Sequence, residues 1–304
     1  MDFSSLSPAA LIISIMVAAT PLLFAAIGEL VVEKSGVLNL GVEGMMIFGA
    51  ISGFAIAVQT GNPIAGIIGG AIGGAVISMV FAVLTQLFLS NQVATGLGLT
   101  LFGLGLAALV GQPYAGIKPP SFPAIEITWL SARPISVDLM IPVSILLVAS
   151  VAWFLGRTRR GMILRAVGEN HDAAHSLGYN VIAIRFAAIG FGGACAGIGG
   201  AYLSLIRVPQ WTEGMTAGAG WIALAIVVFA AWKPWRAVLG AYLFGGVTIL
   251  QLNLQALGIS IRAEYLSMTP YLVTIIVLVL MSRDKIKASL NAPASLGRVF
   301  QKSG

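Results

Sequence analysis

Apolar runs follow one another along almost the whole chain, and the short stretches between them carry most of the charge. A helix needs about 20 apolar residues to cross the ~30 Å hydrocarbon core of a bilayer. Runs of that kind fall near 9–31, 37–58, 63–89, 93–112, 139–156, 183–205, 218–232, 237–257 and 266–282. The pattern predicts an all-α, polytopic integral membrane protein with about 8–10 transmembrane helices. Two runs break the rule. The second opens on Gly36, Asn39, Gly41, Glu43 and Gly44, and the seventh is short and follows a Gly-rich stretch. Both read as broken or re-entrant, a form tolerated only where protein or a water-filled path shields the backbone. Glu29 and Glu33, late in the first run, read as residues flanking the membrane.

Only 9% of the 304 residues are charged, against about 25% in soluble domains, so the chain cannot cover a water-facing surface of any size. A single transmembrane domain, 1–304, is expected, with an ordered external loop at 113–138, a cytoplasmic loop at 157–182 and a cytoplasmic tail at 283–304. Overlapping G-x-x-x-G steps at Gly66, Gly70 and Gly74, and the series Gly193, Gly197 and Gly200, suit tight helix crossings. The N-terminus lacks the basic stretch of a cleaved signal peptide, so the first run reads as a retained helix. Cys195 is the only cysteine, which excludes an internal disulfide framework.

The net charge of +6 does not read as binding of a nucleic acid polymer, because the basic residues sit in clusters between apolar runs. Nine alternating crossings place Lys34, Arg157, Arg159, Arg160, Arg165, Arg185, Lys233, Arg236 and the tail residues Arg283, Lys285, Lys287, Arg298 and Lys302 on one side. Only Lys118, Arg133, Arg207 and Arg262 fall on the other. The positive-inside rule makes the first side cytoplasmic, with the C-terminus there.

No phosphate-binding loop, His-Glu-x-x-His pair or paired-cysteine site occurs, so neither catalytic nor metal-ligating residues are assigned. Ionisable and polar groups inside spans point to a path for solute. Asn39 and Glu43 stand one turn apart, and Glu43 is either a path group or an anchor accepting backbone N–H bonds. Asn91, Gln92, Thr95, Thr248, Gln251 and Asn253 are further path candidates, with interhelical hydrogen bonding as the plainer alternative for each.

The most informative stretch is the cytoplasmic loop. After Glu169, Asn170 is a natural N-cap, and Asp172 suits the first turn. Ala173, Ala174 and Leu177 give a short helix with a small apolar face, and Gly178 is placed to end it. Such a helix is too short to stand alone and must pack on something. His171 and His175, four apart, offer two metal ligands without a third; a solvated face is the simpler reading.

Asp172-Ala173-Ala174 with Gly178 resembles the coupling-helix motif of ABC importer permeases, with aspartate in place of the usual glutamate. The surrounding residues from Arg165 to Gly178 are similar to the permeases for branched-chain amino acids, simple sugars and nucleosides. The string from Glu33 to Met46 resembles the nucleoside-type branch, and Gly220 to Ala225 with Trp232 to Trp235 forms a third match in the same order. The resemblance implies a permease forming the path for nucleosides or related small polar solutes, sugars included, in the cytoplasmic (inner) membrane. It implies a separate ABC ATPase that binds ATP and Mg, while this chain binds no cofactor. An external solute-binding protein, a second, longer permease chain and membrane lipid complete the expected partners. The coupling residues are then Glu169, Asn170, Asp172, Ala173, Ala174, Leu177 and Gly178. From the residues alone, an ion-coupled secondary transporter stays open as the alternative, with a membrane-embedded enzyme a distant third.

Overall fold

The computed structural model describes residues 8–127, 135–256 and 291–301, with scattered residues between 268 and 279. It is built from helices α1 (Pro8–Lys34), α2 (Val42–Thr60), α3 (Pro63–Ala82), α4 (Gln92–Gly111), α5 (Met140–Arg157), α6 (Arg159–Glu169), α7 (His171–Ser176), α8 (Val181–Tyr202), α9 (Ala219–Phe229) and α10 (Pro234–Ala256). One antiparallel hairpin, β1 (Ala124–Ile127) and β2 (Ile135–Asp138), lies in the expected external loop, with Ala124 opposite Asp138. Among the described residues seven helices are long and apolar enough to cross a membrane, so the chain is an all-α, multi-pass membrane protein. The ninth expected span, 266–282, lies largely outside the described residues.

Side-chain caps set where most of these helices begin. Asn62 Oδ1 accepts from the amides of Ile64 (2.9 Å) and Ala65 (3.3 Å), with Pro63 already holding helical φ. Asn91, Asn170 and Asn180 each accept the amide three residues on, at 3.0 Å, at the starts of α4, α7 and α8. Asp138 Oδ1 does the same for Met140 and Ile141 at the start of α5, while its Oδ2 accepts from the Tyr202 hydroxyl at 2.7 Å. α3 and α8 both end in a π-helical turn, at 83–87 and 203–207.

The core is centred on α8, which packs against α1, α2 and α3. Close approach requires glycine here. A Cβ on Gly197 would collide with the carbonyl oxygen of Gly70 and lie 3.0 Å from Gly74 Cα, and one on Gly200 would meet the backbone of Met46 and Ala50. The G-x-x-x-G steps thus form the expected tight crossing.

Three readings of the sequence need correction. The second span does not run from residue 37: α2 starts at Val42, and 35–41 is buried, non-helical chain. The seventh is the 11-residue α9, about 16 Å long at 1.5 Å per residue, half of what a bilayer requires. The cytoplasmic loop holds α6 as well as the expected short helix. In α6 Gly161 lies against the Phe154 carbonyl, so the helix can turn back directly after α5.

Gly197→Ala should overpack this crossing at a cost of about 1–3 kcal/mol. Gly156→Ala, where a new Cβ has no atom within 4 Å, should leave stability unchanged. Thermal unfolding of the detergent-solubilised protein compares the two.

Candidate functional site

Six of the seven expected coupling residues lie exposed in and beside α7. α7 is capped by Asn170, and Gly178 closes it at φ +87°, with Tyr179 N–H donating to Ala174 O (3.1 Å) and Gly178 N–H to His175 O (2.8 Å). Glu169, Asn170, Asp172, Ala173, Leu177 and Gly178 are exposed, Leu177 at 77%. Ala174 instead is buried on Val167, Val181 and Phe300. An apolar Leu projecting from a helix whose underside is already packed is a ready-made contact for another protein.

Beneath α7 lies a junction that the sequence did not reveal. Arg185, read as a topology charge, is completely buried in the second turn of α8. Its guanidinium donates to Ser35 O (3.3 Å), Gln86 Oε1 (3.4 Å) and Arg298 O (3.2 Å), and its Nη2 lies 3.3 Å from His171 Nδ1. Among the described residues no carboxylate lies within 4.0 Å of it. A buried guanidinium thus ties α8 to the turn after α1, the end of α3, the tail and α7 through uncharged acceptors.

His171 is buried, contrary to the solvated face expected of it, and the Phe300 ring meets it and His175 edge-on at 5.4 and 5.3 Å. Because Arg185 can only donate, Nδ1 of His171 must accept, which leaves the proton on Nε2, 3.6 Å from Asp172 Oδ1. Burial, and then the neighbouring positive charge of Arg185 and Arg298, push the His171 pKa below 6.5 against the opposing effect of Asp172. No group of three or more metal-ligating side chains occurs among the described residues.

The second centre is where the two broken segments meet. Glu43, in the first turn of α2, accepts from Thr216 Oγ1 (2.6 Å), Gly218 N–H (2.9 Å) and Gly220 N–H (2.6 Å). Its carboxylate therefore caps α9 across 173 to 177 positions of sequence, a helix that has no capping side chain of its own. The anchor reading of Glu43 is the one this geometry matches, but the helix it anchors is α9. Asn39, also buried, lies against Glu29: its N–H and Nδ2 donate to the two carboxylate oxygens at 3.3 and 3.2 Å, while its Oδ1 accepts from Gly41 N–H at 2.9 Å. Glu33 accepts from the Trp232 indole at the other end of α9. Glu29 and Glu33 are thus buried ties and not flanking charges.

The remaining path candidates are not gathered into one site. Asn91 caps α4, and Gln92 bridges Leu38 N–H (2.8 Å) to Arg298 O (3.4 Å). Thr95 lies 2.8 Å from Ser90 Oγ. All three belong to the same end of the bundle as Arg185. Gln251 and Asn253 are half-buried on α10, and Thr248 donates to Phe244 O (3.0 Å). The buried Glu29 and Glu33 carried a signal in the sequence, namely two carboxylates four apart within an unbroken apolar helix.

The chain belongs to the family described as branched-chain amino acid transport system / permease component, which it matches over residues 11–281. It is 38% identical over 289 residues to TsgC13 of Haloferax volcanii, provisionally named a glucose ABC transporter permease protein, covering 86% of this chain and 88% of that one. The nucleoside ABC transporter permease protein NupC of Lactococcus lactis is 32% identical, covering 89% and 91%. The guanosine ABC transporter permease protein NupQ of Bacillus subtilis is 30% identical, covering 88% and 92%. No solved structure matches significantly. The chain is therefore an ABC transporter permease subunit, not an enzyme, and its family works with ATPase and solute-binding partners. These relatives support that reading over ion-coupled transport.

Glu43→Gln should cost about 1–3 kcal/mol, because the amide turns a donor toward the α9 N–H groups. Hydrogen exchange should rise at 216–222 first. His171 stays neutral in the folded protein, so its contribution to stability is full above pH 6.5 and is lost as pH falls through its lower folded value. Thermal midpoints measured down to about pH 5 should fall for the wild type and flatten for His171→Phe.

Proposed function

We propose that this chain lines the membrane path of an ATP-driven importer for neutral hydroxylated ring solutes, nucleosides first and hexoses second. The observation that carries the reading is the exposed face of α7, Asp172, Ala173, Ser176 and Leu177, held from below by Phe300 and His171. In this reading the face docks on a cytoplasmic ATPase, which binds ATP and Mg, and closure of the ATPase pair drives the attached spans. Access can switch only if the two states differ in their contacts with the nucleotide-bound ATPase.

The basic end of the bundle, with Lys34, Arg157, Arg159, Arg160 and Arg165, is the cytoplasmic end of the inner membrane in this proposal, and the C-terminus lies there too. A longer permease chain supplies the other half of the path. A neutral solute suits a bundle whose buried carboxylates Glu29, Glu33 and Glu43 are already engaged by protein donors. The names of the relatives, nucleoside, guanosine and glucose, set the class.

Leu177→Asp should weaken ATPase binding by about 2 kcal/mol or more, roughly 30-fold in Kd, with the permease still inserted and folded. Pull-down of the ATPase by the detergent-solubilised permease measures this, and binding equal to wild type would sink the docking role of α7. Uptake of labelled guanosine by cells carrying the full transporter, with glucose as competitor, decides between the two solutes.

A further inference from the structure

The C-terminal segment 291–301 does not trail away from the bundle but is laced across its basic end. Asn291 O accepts from Lys34 Nζ at 2.8 Å, at the end of α1. Ser295 N–H donates to Gly168 O (2.9 Å) and its Oγ to Glu169 O (3.1 Å), at the end of α6. Gly297 N–H donates to Gly36 O (3.2 Å), in the turn between α1 and α2. Arg298 O accepts from Gln92 at the start of α4 and from Arg185 of α8. Phe300 then inserts between His171 and His175, under the coupling helix.

Most of these contacts use the backbone of the segment, so its course is fixed at 291, 295, 297, 298 and 300. α7 itself has six residues and packs chiefly on α6 and α8. By itself it has little grip on α1, α2 or α4. The turn at 35–41 leads straight into Asn39 and Glu43, the residues tied to Glu29 and to α9. A pull on Phe300 therefore reaches the two broken segments through Gly297 and Arg298.

We propose that residues 291–301 are a transmission strap that makes the α1–α2 turn and the start of α4 follow the coupling helix, with Phe300 as the positioning residue. This rests on the reading of α7 as the ATPase contact. The strap forms no part of the docking face, since it lies under α7 and leaves Leu177 exposed.

The test uses the complete transporter reconstituted in vesicles, scored for ATPase binding, ATP hydrolysed, and labelled guanosine or glucose taken up. Phe300→Ala should retain ATPase binding and hydrolysis but move about fivefold less solute per ATP, the low end of common coupling energies. Phe300→Leu should recover part of the loss. Gly297→Val changes the strap at the other end, where φ is +74°, without touching α7, and should give the same drop. Wild-type ratios in both Phe300→Ala and Gly297→Val overturn the strap. So does loss of ATPase binding in Phe300→Ala with a normal Gly297→Val, which would make Phe300 a support for docking only. If Leu177→Asp binds the ATPase as tightly as wild type, the reading of α7 fails and the strap with it.

Discussion

One carboxylate fixes where the half-length helix of this bundle sits. A half-length helix in a bilayer exposes its first N–H groups to an environment that cannot satisfy them, at several kcal/mol each. α9 begins in that position, and Glu43 meets it with two oxygens for two amides and a hydroxyl. The carboxylate also sits in the first turn of its own α2, where a negative charge complements the helix dipole. The starts of two helices thus share one acceptor. The other end of α9 is fixed by Trp232, whose indole donates to Glu33 and whose backbone is left-handed at φ 55°. A conformation that costs roughly 1–2 kcal/mol for an L-residue is held by that bond.

The same logic governs the non-helical turn at 35–41. Its amides are matched one by one: Gly36 to Glu33 O, Leu38 to Gln92, Asn39 to Glu29, Gly41 to Asn39. Its carbonyls are taken by Arg185, Gly297 and Thr100. The partners come from α1, α4, α8 and the C-terminal segment, so the turn cannot shift without its neighbours. Hydrogen-bond ties hold the broken segments, while glycine contacts along α2, α3 and α8 let those helix backbones approach closely.

How far the sequence disclosed this follows from the kind of signal involved. The long spans were legible because hydropathy over some twenty residues is a local property, and the G-x-x-x-G steps found their crossing for the same reason. The start of α7 was legible because an asparagine cap and a closing glycine act within a few residues. Arg185 was misread because the same residue type serves as an exposed topology charge or as a buried knot, and only distant partners such as Ser35 and Arg298 tell them apart. For Glu43 the sequence left path group and anchor open, because its partners at the start of α9 lie 173 to 177 positions away. The 291–301 segment carries no periodic pattern at all, and its course depends on partners in α1, α4, α6, α8 and the turn at 35–41.

The length of α9 also bears on how the protein is made. Membrane insertion during synthesis selects segments by their own hydrophobic length, and an 11-residue helix preceded by irregular chain falls short of that standard. The chain at 208–218 cannot lie against lipid until the bundle encloses it. α9 is therefore too short to be held by its own hydrophobic length, and its place in the membrane depends on the surrounding bundle and on the carboxylate of α2.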